Sequence, residues 1–339
     1  MKKILSLLIL SLLLFSGCTK KEESAGSTVK KKTYKFNYAV FFPATHLQAQ
    51  TAEAWAKEVE SRTDGQIQIT LFPGGTLSKA AQTYEAVVTG VADMGMSVFA
   101  YSRGRFPLLE GLDLPVGYPD GVTATKIANE MVKKYQPEEL SDVHVLYLHA
   151  HGPGVLASRK EVSSPSDIAS MKIRATGLSA KIVTALGGTP ISMSQGDTYE
   201  SLQKGVVDAT FCPIETLKGW KQGEVIDYVV DTKAIGYTTT MFVVMNNDKW
   251  ASLPEDLQKI LTEVSEEWIY EQGAAWDESD KQGEAFVKEL GKSFVTLSDS
   301  DNKALVDAMA PVYAEYTAAA AEKGLPGEDF LNDLRGMLK

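Results

Sequence analysis

The side chains that could carry out catalysis or bind a metal are few and widely spaced. Of the four histidines, only His149 and His151 form a close pair. Two residues apart on a strand, they would face the same side and could share a metal ion. No third ligand follows at a usable spacing, so the pattern favours a strand-end pair that takes part in hydrogen bonds.

Cys212 is the other candidate for chemistry. With a histidine partner it could be a nucleophile, whereas a buried thiol, or one lining a pocket, would be inert. The chain has no P-loop, nucleophile-elbow, zincin or Cys-x-x-Cys motif. An inert thiol is therefore favoured, and the sequence predicts neither an enzyme nor a bound metal or cofactor.

The composition is typical of a globular protein with a conventional core. The formal net charge is −10, and no basic cluster with interleaved aromatic residues occurs. Nucleic acid is therefore not an expected partner. The length of the chain favours two globular units. Hydrophobic residues make up 44% of the 339 residues, which allows a conventional core without disulfides.

The first 32 residues predict export and tethering. Residues 1–17 combine an early positive charge with a short apolar run, typical of a signal peptide and too short to span a bilayer. Ser16-Gly17-Cys18 resembles the lipobox of bacterial lipoproteins, so Cys18 is expected to carry lipid. Residues 18–32 are rich in Lys, Glu, Ser and Gly and are expected to form a flexible tether.

Strands and helices alternate from Tyr34 onward. The segment 34–96 follows the pattern β-α-β-α-β, which predicts a parallel sheet covered by helices. Its predicted strands are 34–40, 66–72 and 92–96, and its predicted helices are 48–62 and 80–89. A second set of strands is predicted at 144–149, 172–175, 209–211, 225–230 and 239–245, with helical segments at 165–171, 179–186 and 198–204.

The C-terminal part is predicted to be helical over 254–290, 302–323 and 329–338. At about 1.5 Å per residue, the first of these helices would be roughly 55 Å long. That length exceeds the diameter of one small domain. The helix is therefore expected to brace two domains.

Several stretches, taken in order, resemble the solute-binding proteins of tripartite ATP-independent periplasmic (TRAP) transporters, the DctP-type family. They are ITLFPGGTL at 69–77, VTGVADM at 88–94, MKIR at 171–174, LGGTP at 186–190, YESLQKGVVD at 199–208, and Trp250 followed by LPEDLQ at 253–258. The resemblance implies an α/β, two-domain periplasmic-binding-protein-like fold with a ligand cleft between the domains and a long bracing helix. Domain I is expected to comprise 33–149 and about 239–280, and domain II 150–238 and about 281–339.

This resemblance implies an extracytoplasmic protein that binds a small organic acid in a closing cleft and delivers it to the permease subunits of a TRAP transporter. The expected location is the periplasmic side of the cell envelope, where the lipid attaches a monomer to a membrane. On the sequence alone, a binding protein of an ATP-driven importer and a sensory binding protein are alternatives. A cleft enzyme is a less favoured one.

The family's signature arginine falls on Arg174. Its planar guanidinium can hold a carboxylate through two charge-assisted hydrogen bonds. Relatives that bind sialic acid have a second arginine in the stretch matching 149–156, where this chain has none. His151 or backbone amides near Gly152 are the candidates to replace it.

Two further departures reduce the polarity of the expected site. Cys212 stands where the sialic-acid relatives have an asparagine, and Phe41 stands near the position of a polar residue. With Phe42 and Tyr237, Phe41 is expected to form an apolar or aromatic wall. The predicted ligand is therefore a monocarboxylate with an apolar or aromatic body rather than a polyhydroxylated sugar acid. The remaining candidates for ligand contact are His46, Ser97, Gln195 and Glu215.

Overall fold

The computed structural model describes residues 32–339. Cys18, the predicted signal peptide and residues 19–31 of the predicted tether lie outside the described residues. The strands are β1 (Tyr34–Val40), β2 (Ile67–Phe72), β3 (Met94–Val98), β4 (Val143–Ala150), β5 (Val155–Ser158), β6 (Lys172–Arg174), β7 (Thr189–Ile191), β8 (Ala209–Cys212), β9 (Tyr228–Asp231), β10 (Thr240–Asn246) and β11 (Ser293–Thr296).

The α-helices alternate with these strands and then fill the C-terminal part. They are α1 (Leu47–Arg62), α2 (Thr83–Val88), α3 (Gly121–Tyr135), α4 (Pro165–Ile168), α5 (Leu178–Ala185), α6 (Gln195–Gln203), α7 (Thr216–Gly219), α8 (Asn247–Ala251), α9 (Glu255–Glu289), α10 (Asp299–Asp307), α11 (Ala310–Glu322) and α12 (Gly327–Met337).

Two sheets form the framework of the fold. The first has the order β2-β1-β3-β10-β4, and the second has the order β11-β9-β5-β8-β6-β7. In the first sheet β1 is parallel to β2 and β3, whereas β10 runs antiparallel to β3 and β4. The chain passes to the second sheet after β4 and returns to the first before β10.

The long helix α9 contacts elements attached to both sheets. It packs on α1, α3 and β4 near the first sheet and on α7 near the second. It has 35 residues, and both its first and its last residue lie within one residue of the predicted range 254–290. The predicted bracing helix is therefore confirmed.

Several elements differ from the predictions. The predicted helix 302–323 is two helices, α10 and α11, and Pro311 lies in the first turn of α11. Proline is favoured there because the N–H groups of the first turn have no acceptor within the helix, so the N–H that proline lacks is not needed. The prediction 80–89 begins as a 3₁₀ turn over Ala80–Gln82 before α2. Elements missed by the prediction include α3, β5, β7 and β11.

His149 is buried in β4 against the bracing helix. Its Nδ1 accepts a hydrogen bond of 2.9 Å from Nε1 of Trp276, so the ring is held neutral. Burial lowers the pKa of His149 to about 3. Among the described residues no group of three or more His, Cys, Asp and Glu side chains could hold a metal ion, and no helix is long and apolar enough to cross a membrane.

The lowered pKa of His149 predicts a loss of stability in acid. Because the unfolded ring takes up a proton near pH 6.5 and the folded ring does so only near pH 3, this stabilisation is complete above the unfolded pKa and is lost as the pH falls. We expect His149→Gln to flatten the decline in unfolding free energy between pH 6.5 and 4, by up to about 1.4 kcal/mol per pH unit. Urea unfolding of both proteins across this range measures it. Parallel curves would contradict the prediction.

Candidate functional site

A small cavity lies between the segments that follow the strands of the two sheets. Its volume is about 30 Å³, room for only a few water molecules. The first sheet contributes residues from β3, β10 and the loop after β1, and the second contributes residues from β6, β8 and the segments after them. The lining residues used below are Phe41, Phe42, Tyr101, His151, Arg174, Gln195, Glu215, Trp220, Tyr237 and Trp276.

Arg174 is the cation of this cavity. It ends β6, between β8 and β7, and its side chain is only 3% exposed. Nε and Nη2 donate hydrogen bonds of 3.1 and 3.0 Å to the carbonyl oxygen of Met193. No carboxylate of residues 32–339 forms an ion pair with this guanidinium. A buried charge without a counter-ion is costly, so this group is well suited to bind an anion.

His151 lies on the same cavity, in the segment that leaves the first sheet. Its Nδ1 contacts the carbonyl oxygen of Gly152, which can only accept, so Nδ1 carries the proton and Nε2 is left as an acceptor. Burial, opposed by that carbonyl and aided by the charge of Arg174, lowers the pKa of His151 to about 4. The ring is therefore uncharged at neutral pH. It supplies hydrogen bonding and not the positive charge of a second arginine.

Aromatic rings cover much of the remaining lining. The ring centroids of Phe41 and Phe42 are 4.0 Å apart. Phe41 is also stacked on Trp220, which lies on the second-sheet side of the cavity, with ring centroids 5.9 Å apart. Phe42 also contacts Trp276 of α9, with ring centroids 5.8 Å apart. The predicted wall of Phe41 and Phe42 thus includes two tryptophans that the sequence analysis did not single out.

Tyr237 belongs to the segment that returns to the first sheet. Its ring is stacked on Phe211 at 4.7 Å. A Cβ on Gly154 would overlap this ring, so glycine there lets the two crossing segments approach. Tyr237 therefore lines the cavity, and its packing against Phe211 and Gly154 holds its ring in place.

Gln195 and Glu215 also line the cavity. The backbone N–H of Gln195 donates a 3.1 Å hydrogen bond to the hydroxyl of Tyr101, which joins the two sides. The Gln195 amide accepts a 2.7 Å bond from Gln222. Glu215 is 2% exposed, and its Oε2 lies 2.8 Å from Nε2 of His46.

Three of the predicted residues stand behind the lining. His46 does not line the cavity itself, and it packs behind Phe42, Trp220 and Trp276, with ring centroids 4.5, 5.8 and 6.5 Å away. The Ser97 hydroxyl donates a 2.7 Å bond to the carbonyl oxygen of Ala80. Cys212 lies in an apolar cluster with Val155, and burial raises the pKa of its thiol to about 11. The structure therefore brings neither Ser97 nor Cys212 to the cavity surface.

A larger groove of about 740 Å³ lies between residues 99–113, α5 and α11. Among its charged residues, Lys181 is 3.5 Å from Glu110, so these two groups neutralise each other. None of the predicted ligand-contact residues lines this groove. The smaller cavity at Arg174 is therefore the better candidate for recognition of an acid.

The family described as "Bacterial extracellular solute-binding protein, family 7", DctP, matches residues 38–319. The chain belongs to this family. A TRAP periplasmic solute-binding protein from Desulfovibrio salexigens is 33% identical, with a TM-score of 0.79 over 89% of this chain and 95% of that chain. The predicted family and the predicted two-domain α/β fold are thus confirmed.

Two further members show the range of the family. A TRAP periplasmic solute-binding protein from Bordetella bronchiseptica, solved with bound (R)- and (S)-mandelate, is 26% identical, with a TM-score of 0.84 over 90% of this chain and 98% of that chain. The 2,3-diketo-L-gulonate-binding periplasmic protein YiaO of Escherichia coli is 27% identical over 84% of this chain and 86% of its own length. These family members are solute-binding proteins rather than enzymes.

Proposed function

We propose that this TRAP-type binding protein captures an organic monocarboxylate with an apolar or aromatic body and delivers it to TRAP permease subunits. The observation that carries the proposal is the buried Arg174 guanidinium, which lines the cavity without a carboxylate partner among residues 32–339. Its free N–H groups suit one ligand carboxylate. The ligand-contact residues that we propose around it are Phe41, Phe42, His151, Gln195, Glu215 and Tyr237.

The rest of the lining supports a single carboxylate and an apolar body. His151 is uncharged at neutral pH because burial lowers its pKa to about 4, so Arg174 is the one cation that the described lining offers. Phe41, Trp220 and Trp276 present ring faces and edges that suit apolar or aromatic groups. A polyhydroxylated acid would leave many hydroxyls without partners on these rings.

Binding requires the two sides of the cavity to separate. A space of about 30 Å³ cannot hold a ring-sized acid, and the stacked pair Phe41 and Trp220 closes it. We propose hinge motion between a domain of residues 33–149 and about 239–280 and a domain of 150–238 and about 281–339. The crossings of the chain between the two sheets support this division. Helix α11 also touches the first domain, because the Tyr316 hydroxyl donates a 2.9 Å bond to the carbonyl oxygen of Leu108.

The relatives agree with this chemistry in part. The Bordetella protein holds mandelate, a monocarboxylate with an aromatic ring. YiaO is named for a sugar acid, so family membership alone does not select the ligand. The aromatic lining and the single cation favour a ligand of the mandelate type for this chain.

We also propose that Cys18 is lipidated and attaches a monomer to a membrane on the periplasmic side. The support is the lipobox-like Ser16-Gly17-Cys18 and the polar residues after it. Mass spectrometry of the mature N-terminus tests the proposal. An acylated Cys18 is the expected result, and a mature chain that begins elsewhere or carries no lipid would contradict it.

A panel of acids tests the proposed ligand class. We expect benzoate, mandelate and other aromatic or apolar monocarboxylates to raise the melting temperature of the purified protein, by about 4 °C or more at a hundredfold excess over Kd. Sugar acids are expected to cause no shift. Native mass spectrometry of acid retained through purification gives an independent measurement. Strong shifts with sugar acids and none with aromatic acids would refute the proposal.

A further inference from the structure

The cavity at Arg174 also contains a buried carboxylate. Glu215 follows β8 and precedes α7, and it is 2% exposed. It lines the same space as Arg174. Carboxylates are rarely buried so completely without a cationic partner. The one charged or titratable side chain of residues 32–339 that lies within ion-pair distance of this carboxylate is His46, at 2.8 Å.

His46 approaches Glu215 from the side of the first sheet. It is the N-cap of α1, and its Nδ1 accepts a 3.2 Å hydrogen bond from the backbone N–H of Gln48. Because Nδ1 accepts, the ring proton is on Nε2, the nitrogen that faces Oε2 of Glu215. The two atoms are close, but they are not aligned as a hydrogen bond, so Oε2 is buried without a hydrogen-bond donor among the described residues. No described residue donates a hydrogen bond to the other oxygen, Oε1.

Two glycines make room for this arrangement. A Cβ on Gly219 would lie 2.5 Å from Nε2 of His46 and 2.8 Å from Oε2 of Glu215. A Cβ on Gly283, in α9, would lie 2.8 Å from the Cα of Glu215. The backbone is thus shaped closely around the pair, which is typical of a fixed site rather than a mobile surface carboxylate.

Asp280 lies close enough to Glu215 for the charge of that carboxylate to affect its pKa. Its Oδ1 accepts a 3.1 Å hydrogen bond from the backbone N–H of Glu215. Burial first, and then the nearby charge of Glu215, raise the pKa of Asp280 to about 8. An additional acid placed close to Glu215 would meet the same repulsion.

We propose that Glu215 determines specificity at the ligand site by rejecting a second ligand carboxylate and favouring a hydrogen-bond donor such as a hydroxyl. The inference rests on the proposed function, because it assumes that Arg174 holds the first carboxylate. A ligand hydroxyl can donate to the free Oε1 of Glu215, whereas a ligand carboxylate can only accept. Like charges brought together in a partly dehydrated cleft are strongly disfavoured.

Matched benzoate derivatives test this role. The probes are the ortho, meta and para pairs of hydroxybenzoate and benzene dicarboxylate, with benzoate as reference. They are titrated calorimetrically into the wild-type protein, Glu215→Gln and Glu200→Gln. Glutamine keeps the size of the side chain and removes its charge. Glu200 is an exposed residue paired with Lys204, so its variant controls for a change of net charge away from the cavity.

In the wild type, the best hydroxybenzoate is expected to bind at least as tightly as benzoate. It is also expected to bind at least about tenfold more tightly than the benzene dicarboxylate with the same substitution pattern. Glu215→Gln is expected to reduce this preference at least tenfold, and Glu200→Gln to leave it unchanged. Equal wild-type binding of both members of the pair would overturn the inference even if Glu215→Gln failed to fold. So would an unchanged preference in a folded Glu215→Gln protein.

The same titrations separate this inference from the proposed function. If benzoate binding depends on Arg174 but the preference for hydroxybenzoate is unchanged in Glu215→Gln, the inference is overturned and the proposed function stands. Absence of binding by every monocarboxylate overturns both. Tight binding of a dicarboxylate that is lost in the Arg174 variant also rejects the role of Glu215, and it leaves Arg174 as the carboxylate partner.

Discussion

Replacing Arg174 with alanine is expected to weaken the binding of an aromatic monocarboxylate by at least about thirtyfold. Removing one partner of a buried, hydrogen-bonded charge pair costs about 2 to 5 kcal/mol, because the other charge remains buried and unpaired. The carbonyl of Met193 holds Nε and Nη2 in place, so the guanidinium is oriented before ligand arrives. Isothermal titration with benzoate or mandelate measures the change.

Two further variants make the result specific to the guanidinium. Arg174→Lys keeps the positive charge but loses the planar fork, so intermediate affinity is expected. Arg159→Ala removes an exposed arginine just after β5, and it is expected to bind like the wild type. Circular dichroism of each variant checks the fold. Wild-type affinity in a folded Arg174→Ala protein would remove the basis of the proposed function.

The sequence predicted the elements whose patterns are local. The amphipathic face of α1, with Ala52, Trp55, Ala56 and Val59, is buried as expected, because period-3.6 spacing depends only on neighbouring turns. The strand that carries Arg174 could also be predicted, because the MKIR stretch at 171–174 lies on the short strand β6. Helix α3 was missed although its buried Ala124, Ile127, Ala128 and Met131 follow helical spacing after the N-cap Asp120. That signal was present in the sequence.

Other parts of the site could not be predicted because they depend on packing between distant segments. Strand β8 is buried on both faces, so alternation did not show that Phe211 faces the cavity while Cys212 faces the apolar cluster behind it. The contact of His46 with Glu215 joins residues far apart in the chain. Trp276 reaches the cavity only because α9 crosses it, and its local pattern would equally suit an ordinary core position.

Gly283 links the bracing helix to the site, and Gly283→Ala is expected to destabilise the protein by about 1 to 3 kcal/mol. The new Cβ would fall 2.8 Å from the Cα of Glu215 and closer still to the carbonyl oxygen of Ile214. Both are backbone atoms, so the overlap can be relieved only by moving α9 or the segment that carries Glu215. Urea unfolding measures the loss of stability. Titration with a bound acid is expected to show weaker affinity as well.

Gly336→Ala is the matched control, because it makes the same substitution in helix α12, where a Cβ would meet no atom within 4 Å. Alanine favours a helix over glycine by up to about 1 kcal/mol, so this variant should be neutral or slightly stabilised. The contrast between the two variants therefore isolates the close approach of α9 from helix propensity. If Gly283→Ala were as stable as Gly336→Ala and bound acid equally well, α9 would not be fixing the position of Glu215. The brace would then act only through its contacts near the first sheet.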